Sequence, residues 1–304
     1  MTAEDPESAA LGRRAFQVVV FATGFWGGCV GVKDGGVPSP LGPTLDSSHL
    51  KLWLRADVGI VCDAGRVTRW IDQSPRRSDA TLQQRQLGPQ CQVTPTPHVI
   101  NGVDVPYFSA PVSSTAPNVV DGTLDVDLSF LAGSSYAIFA VERRWADPPT
   151  NAEYFLGTSL PSGLEAHQTC AVNGNTALSL GYINYQGAFW VSIDHGCNGL
   201  NASVMAVPAT APAPPALTTA MFGKSSGREL WIDGAPVAQD LNQMALVRAT
   251  GGAIGRSIDR TTVSGQDLRY RGDIAEIAIY DTTLSDADRV AIEKGLSARW
   301  ALRP

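Results

Sequence analysis

Gly272-Asp273-Ile274-Ala275-Glu276-Ile277-Ala278-Ile279-Tyr280 is an apolar, β-branched run, followed after a short break by Leu284-Ser285-Asp286-Ala287. Ile274 to Tyr280 reads as a strand. Ser285 then N-caps a helix, with Asp288 three residues on in the capping-box position. Ile292, Leu296 and Trp300 recur at i, i+4 and i+8 and give that helix one apolar stripe. Arg289 and Glu293 form an i, i+4 pair of opposite charge. The expected outcome is a strand buried in a sheet and a helix packed on the outside of that sheet to close it.

Upstream, from Leu50 onward, short apolar and β-branched runs alternate with Gly, Pro, Asn and Asp clusters. Tyr136 to Val141, Tyr154 to Leu156, Leu178 to Tyr182, Phe189 to Ile193, Ala216 to Phe222 and Glu229 to Ile232 read as strands. Asp233-Gly234 joins two such runs and predicts a hairpin. Many short strands with turns between them mean a sandwich or barrel. No internal repeat and no second domain is seen.

Composition sets the outer bounds. The chain has 304 residues, 44 % hydrophobic and 17 % charged, with 30 Gly and 20 Pro. The apolar fraction excludes a disordered chain, and the Gly and Pro content argues against a helical bundle. A formal net charge of -6 argues against a broad nucleic-acid-binding surface.

Residues 1–29 read as an export segment. Arg13-Arg14-Ala15-Phe16 resembles the twin-arginine pattern, and the apolar run Ala15 to Phe25 has the length of a signal h-region. Trp26-Gly27-Gly28-Cys29 resembles a lipobox, with Trp26 in place of the usual aliphatic residue. Three readings stand: a lipoprotein anchored through Cys29, a cleaved secretory signal, or an uncleaved anchor. All three place the rest of the chain outside the cytoplasm, with contact to a membrane only through this N-terminal anchor. Residues 30–48 are Gly/Pro/Ser-rich and read as a tether to a domain at 49–304.

Four further cysteines, Cys62, Cys91, Cys170 and Cys197, are an even number in an exported chain, which implies disulfides. Closing loops of similar, moderate length favours Cys62–Cys91 and Cys170–Cys197. His167 and His195 lie close to the second pair, so a Cys2His2 zinc site is the alternative, but the spacings are not those of a zinc finger or ribbon.

Several stretches together carry a family resemblance. They are Leu50-Lys51-Leu52-Trp53-Leu54-Arg55-Ala56-Asp57, Val67-Thr68-Arg69-Trp70-Ile71-Asp72-Gln73-Ser74, Asp79-Ala80-Thr81, Asn101-Gly102-Val103, Ile254-Gly255-Arg256, the terminal strand and helix, and Ala298-Arg299-Trp300. The chain from about Ser48 to Trp300 resembles the concanavalin A-like lectin/glucanase superfamily in its bacterial LamG-like branch. The resemblance implies an all-β jelly-roll sandwich of two antiparallel sheets with a short C-terminal helix. One departure is Pro75-Arg76-Arg77-Ser78, where the family tends to have a Gly/Asn-rich loop.

Such folds host both hydrolases and binders, so function must come from the site. Retaining sugar hydrolysis needs two carboxylates about 5–5.5 Å apart. The laminarinase-type run Glu-x-Asp-x-x-Glu is absent. Glu229 and Asp233 share a strand, but Asp233 belongs to a turn; Asp273 and Glu276 are three apart. These acids read as solvated or turn carboxylates. No nucleophile elbow, phosphate loop, dinucleotide fingerprint or zinc-protease motif occurs, and no catalytic residue is assigned. Arg271-Gly272-Asp273 spells an adhesion tripeptide but runs straight into a strand and reads as coincidence.

Sugars are held by stacking their C–H faces on aromatic rings, with polar groups around them. Alternation along Phe189 to Asp194 puts Phe189, Val191 and Ile193 on one face and Trp190, Ser192 and Asp194 on the other. Trp190, Ser192, Asp194 and Tyr185 are the candidate ligand-binding residues. A structural calcium on scattered acids such as Asp104, Asp121 and Asp273 is a weaker expectation, and no cofactor is assigned. The leading reading is a non-catalytic module that binds a glycan or another cell-surface ligand. A hydrolase or lyase with diverged carboxylates and a structural or adhesive envelope protein are the alternatives.

Overall fold

The structure is a computed structural model, and it describes residues 47–82, 86–91, 98–109, 120–145, 152–158, 177–185, 188–196, 199–207, 211–247, 249, 251–257 and 269–303. All of these lie within one compact unit. Strands in chain order begin with β1 (Leu50–Arg55), β2 (Ile60–Asp63), β3 (Arg66–Trp70), β4 (Ala80–Thr81), β5 (Gln86–Leu87), β6 (Val99–Ile100) and β7 (Val103–Asp104). Next come β8 (Tyr107–Phe108), β9 (Val120–Asp121), β10 (Leu124–Val126), β11 (Tyr136–Arg144), β12 (Ala152–Thr158), β13 (Leu178–Tyr185) and β14 (Ala188–His195). The last are β15 (Gly199–Val204), β16 (Ala216–Gly223), β17 (Gly227–Ile232), β18 (Ala235–Asp240), β19 (Gly252–Ile254) and β20 (Gly272–Tyr280).

Two large antiparallel sheets make the body of the domain. One has seven strands, in the order β1-β20-β11-β16-β17-β18, with β8 beside the start of β20. The other has nine, in the order β15-β14-β13-β12-β19-β10-β4-β3-β2. Short two-stranded ribbons, β5 with β9 and β6 with β7, lie outside them. The expected all-β antiparallel architecture with one C-terminal helix is therefore present.

The strands read most firmly in the sequence are central ones. All nine residues of β20 and all but Arg143 of β11 are buried or nearly so, because their sheet is covered on both sides. One side meets the nine-stranded sheet: Tyr136 on β11 is hydrogen-bonded with His195 on β14, and Tyr182 on β13 donates to Glu142 on β11. The other side carries the helix Asp286–Trp300. A continuous register row, Trp53–Ala278–Phe139–Thr219–Trp231, crosses the sheet. Arg289 of the helix lies 4.5 Å above the Trp231 ring, and the helix buries Ile292, Leu296 and Trp300.

Local signals match their elements. Asp233 (φ 50°) and Gly234 (φ 78°) form the β17–β18 turn, both in the left-handed region that a two-residue primed hairpin requires. The Ser285 hydroxyl accepts from the Asp288 amide at 3.2 Å and donates to its carboxylate at 2.6 Å. Arg289 donates to Glu293 at 2.6 Å. Cys62 and Cys91 are joined by a disulfide with Cα atoms 6.4 Å apart. Cys29, Cys170, Cys197 and His167 lie outside the described residues. Among the described residues no helix is long and apolar enough to cross a membrane.

Candidate functional site

Strand β14 has the alternation its sequence dictates. Val191 and Ile193 enter the main core between the sheets, while Trp190, Ser192 and Asp194 point to the opposite face of the nine-stranded sheet. Register places Ile183 and Ser203 beside Trp190, Gly181 and Asn201 beside Ser192, and Ser179 and Gly199 beside Asp194. Ala152, Tyr154 and Ile183 form a small apolar cluster of their own there. The Ser179 hydroxyl is hydrogen-bonded with that of Ser257 at 2.6 Å.

This face is far from a bare solvated surface. Ser192 is 1 % exposed, Asp194 5 % and Tyr154 0 %. Trp190 is half-buried, and its indole nitrogen is buried with no hydrogen-bond partner. Buried N–H groups are nearly always paired, so an unpaired one marks a place where an acceptor is missing. Tyr185 ends β13 opposite Ala188, at the hairpin beside Trp190; its side chain lies outside the description. Chemically the face offers an aromatic ring, an indole donor, a hydroxyl and a carboxylate along one strand.

Of the acids that the sequence places in solvent or turns, Asp233 stands exposed in its turn and Glu229 is partly buried, but the other two lie in the core. Asp273 and Glu276 are 0 % and 1 % exposed. Asp273 binds His98 Nδ1 at 2.5 Å, and its second oxygen accepts from Arg143 Nε at 2.7 Å and Trp145 Nε1 at 2.6 Å. Glu276 accepts from Trp53 Nε1, Trp300 Nε1 and Arg299, each at 2.6 Å at the shortest. The physical reason is that a carboxylate is tolerated in a core when cations and indole donors converge on it. Those partners lie up to 223 residues away in sequence, where spacing rules do not reach. The burial of Asp273 also removes the adhesion tripeptide from the surface.

Two more buried acids escaped sequence reading altogether. Glu142 accepts from the hydroxyls of Tyr182 and Tyr270. Burial raises its carboxyl above the usual range, and these hydrogen bonds offset that only in part. Glu153 accepts from Arg271 Nε at 2.5 Å. Each acid is tied into the packing by specific donors, which makes them fold-holding groups.

The family-like motif residues converge in the same way. Asp72 accepts from the amides of Trp53 (2.8 Å), Ser74 (2.9 Å) and Ser78 (2.8 Å) and from the Ser74 hydroxyl (2.7 Å). Asp79 in turn accepts from the Asp72 amide at 2.9 Å. The stretches around Trp53, Asp72 and Trp300 thus encode two buried carboxylate hubs, at Asp72 and Glu276. Of the acids considered for calcium, Asp104 is exposed, the Asp121 side chain lies outside the description, and Asp273 is ringed by donors. Among the described residues no three His, Cys, Asp or Glu side chains gather as a metal-binding group.

No family model matches the chain, and no curated protein matches it. Solved structures do. Trypanosoma rangeli sialidase in complex with sialic acid is similar over 89 % of this chain and 36 % of its own, at 12 % identity and a TM-score of 0.50. The binding domain of botulinum neurotoxin serotype D is similar over 85 % of this chain and 55 % of its own, at 12 % identity and a TM-score of 0.51. This chain thus spans little more than a third of the sialidase and about half of the toxin chain. What is shared at that identity is the fold, an antiparallel β-sandwich of jelly-roll type.

Proposed function

We propose that the chain is an exported, non-catalytic module of the LamG-like kind, which binds a glycan or another cell-surface ligand on the outer face of the nine-stranded sheet. One observation carries the reading: the Trp190 indole N–H is buried without an acceptor, beside Ser192 and Asp194. A sugar hydroxyl at the edge of the indole would supply that acceptor, with a neighbouring sugar ring stacked on the indole face. Glu142, Glu153, Asp273 and Glu276 are all committed to Tyr, Arg, His or Trp donors, which weighs against a hydrolase built on any of them.

Export is inferred from residues 1–29, with Cys29 the lipid-bearing residue and residues 30–48 a tether. The Cys62–Cys91 bond supports an oxidising compartment. A second bond, Cys170–Cys197, completes the proposed framework.

The test is a glycan array probed with the wild-type chain and with Trp190→Phe and Trp190→Ala. Phe keeps a ring but removes the N–H, and weakens binding roughly three- to tenfold; Ala abolishes it. Thermal melting of the Phe variant stays close to wild type. Binding indifferent to both changes removes Trp190 from the ligand site, and sustained release of reducing ends from a β-glucan reassigns the chain as a hydrolase.

A further inference from the structure

A cleft of about 530 Å³ opens where three elements meet, lined by Ser48, Leu50, Lys51, Pro75, Arg76, Phe130 and Asp281. It lies at the N-terminal end of β1 and just past the end of β20. Its volume falls within the range of small-ligand sites, about 300–1,000 Å³.

One wall is the turn that carries Pro75 and Arg76. The turn is rigid: the Ser74 and Ser78 amides donate to Asp72, and the Arg76 amide donates to the Ser74 hydroxyl at 3.2 Å. The Arg76 guanidinium lies 4.9 Å above the Phe130 ring. It donates to the Asp127 carbonyl at 2.8 Å and to the Asp127 carboxylate.

Counting donors gives the chemistry. Arginine carries five N–H donors, and Arg76 spends two on Asp127. Lysine carries three; Lys51 spends one on the Ser48 carbonyl at 2.7 Å and pairs with Asp281 at 3.2 Å. Asp281 is the acid of the lining and is shared with His49 at 2.8 Å. Its pair with Lys51, whose side chains are 28 % and 22 % exposed, is a partly exposed one at 3.2 Å, of the kind weak enough for the ammonium to re-aim. The walls therefore hold two cations with unspent donors, while Leu50, Pro75 and Phe130 supply apolar surface between them.

We infer that this cleft binds an anionic sugar, its ring resting on Pro75 and Phe130 and its carboxylate held between Lys51 and Arg76. That the ligand is a sugar rests on the glycan-binding reading above; that it is an anion rests on the cleft alone. The site is separate from the Trp190 face, which lies on the other sheet.

The experiment uses an array of uronate-containing oligosaccharides printed beside their carboxyl-reduced, neutral counterparts, followed by titration calorimetry on the best pair. The full chain is compared with Arg76→Gln, Arg76→Lys and Lys51→Gln, each checked by thermal melting. The expected result is binding of a uronate form at least tenfold tighter than its reduced form, weakened by added salt. Arg76→Gln and Lys51→Gln each lose roughly tenfold or more on the acidic form, and Arg76→Lys recovers part of the loss. Equal binding of acidic and neutral forms, or affinity that folded Arg76→Gln and Lys51→Gln variants retain, overturns the cleft proposal alone. Binding to neither series, on this array and on the broader one, overturns the glycan reading and this proposal with it.

Discussion

The carboxylate of Glu276 accepts the indole N–H of Trp300 at 2.6 Å, and so ties the last strand to the helix that covers it. The same group takes the indole of Trp53 on β1 and the guanidinium of Arg299. One buried acid thus fastens the first strand, the last strand and the terminal helix. Glu276→Gln removes the charge that Arg299 faces and leaves an indole without its acceptor. Breaking such a buried pair costs about 3–5 kcal/mol. Urea unfolding should show a lower midpoint at unchanged slope.

Reduction of Cys62–Cys91 is expected to destabilise the domain without unmaking its sheets. The bond closes a segment of 29 residues, for which the chain-entropy model gives about 3–4 kcal/mol. The melting curve of the double variant Cys62→Ala/Cys91→Ala should lie below that of the oxidised wild type, and reductant should lower the wild-type curve as well.

His195 sets an acid limit. Burial, reinforced by the Arg228 charge, pushes its imidazole down to about 3. In the unfolded chain it titrates near about 6.5. The unfolded state therefore binds the extra proton between those values. The stability this histidine contributes is present above about pH 6.5 and is lost as pH falls towards 3, with a slope of up to about 1.4 kcal/mol per pH unit. Urea titrations at pH 7, 6, 5 and 4 should show this slope in wild type and a shallower one in His195→Gln.

Glu142 works in the opposite direction. Its folded carboxyl is raised by burial, so its contribution is full below the unfolded value of about 4.3 and is lost as pH rises through the folded one. Glu142→Gln cannot ionise and escapes that loss. The stability of wild type minus that of Glu142→Gln should fall as pH rises from 4 to 7, whatever its sign at the start. A difference constant across that range would mean that the folded carboxyl is not raised above its unfolded value.

Much of the architecture was readable locally. The continuous apolar runs at Tyr136–Val141 and Ile274–Tyr280 became central strands because both faces of their sheet are covered, and Asp233-Gly234 and Ser285 turned and capped where short-range chemistry said they would. Charge was read worst. Glu276 and Asp273 looked like surface acids because their neutralising partners are brought in by β1, β11 and the helix. Glu142 gave no signal, since Tyr182 and Tyr270 are 40 and 128 residues away. For Trp190, period-two alternation gave the right face, but the burial of Ser192 and Asp194 there depends on three-dimensional packing that alternation does not describe.

The pairing of β1 with β20 has a consequence for biogenesis. Among the described strands β1 pairs in its sheet only with β20, and so has no ladder to join until residues 272–280 have been made. Until then Leu52 and Trp53 remain uncovered, and a nascent or truncated chain presents them to chaperones and proteases. Quality control of this protein is thereby keyed to β20 and the helix behind it: a chain without them leaves β1 unpaired.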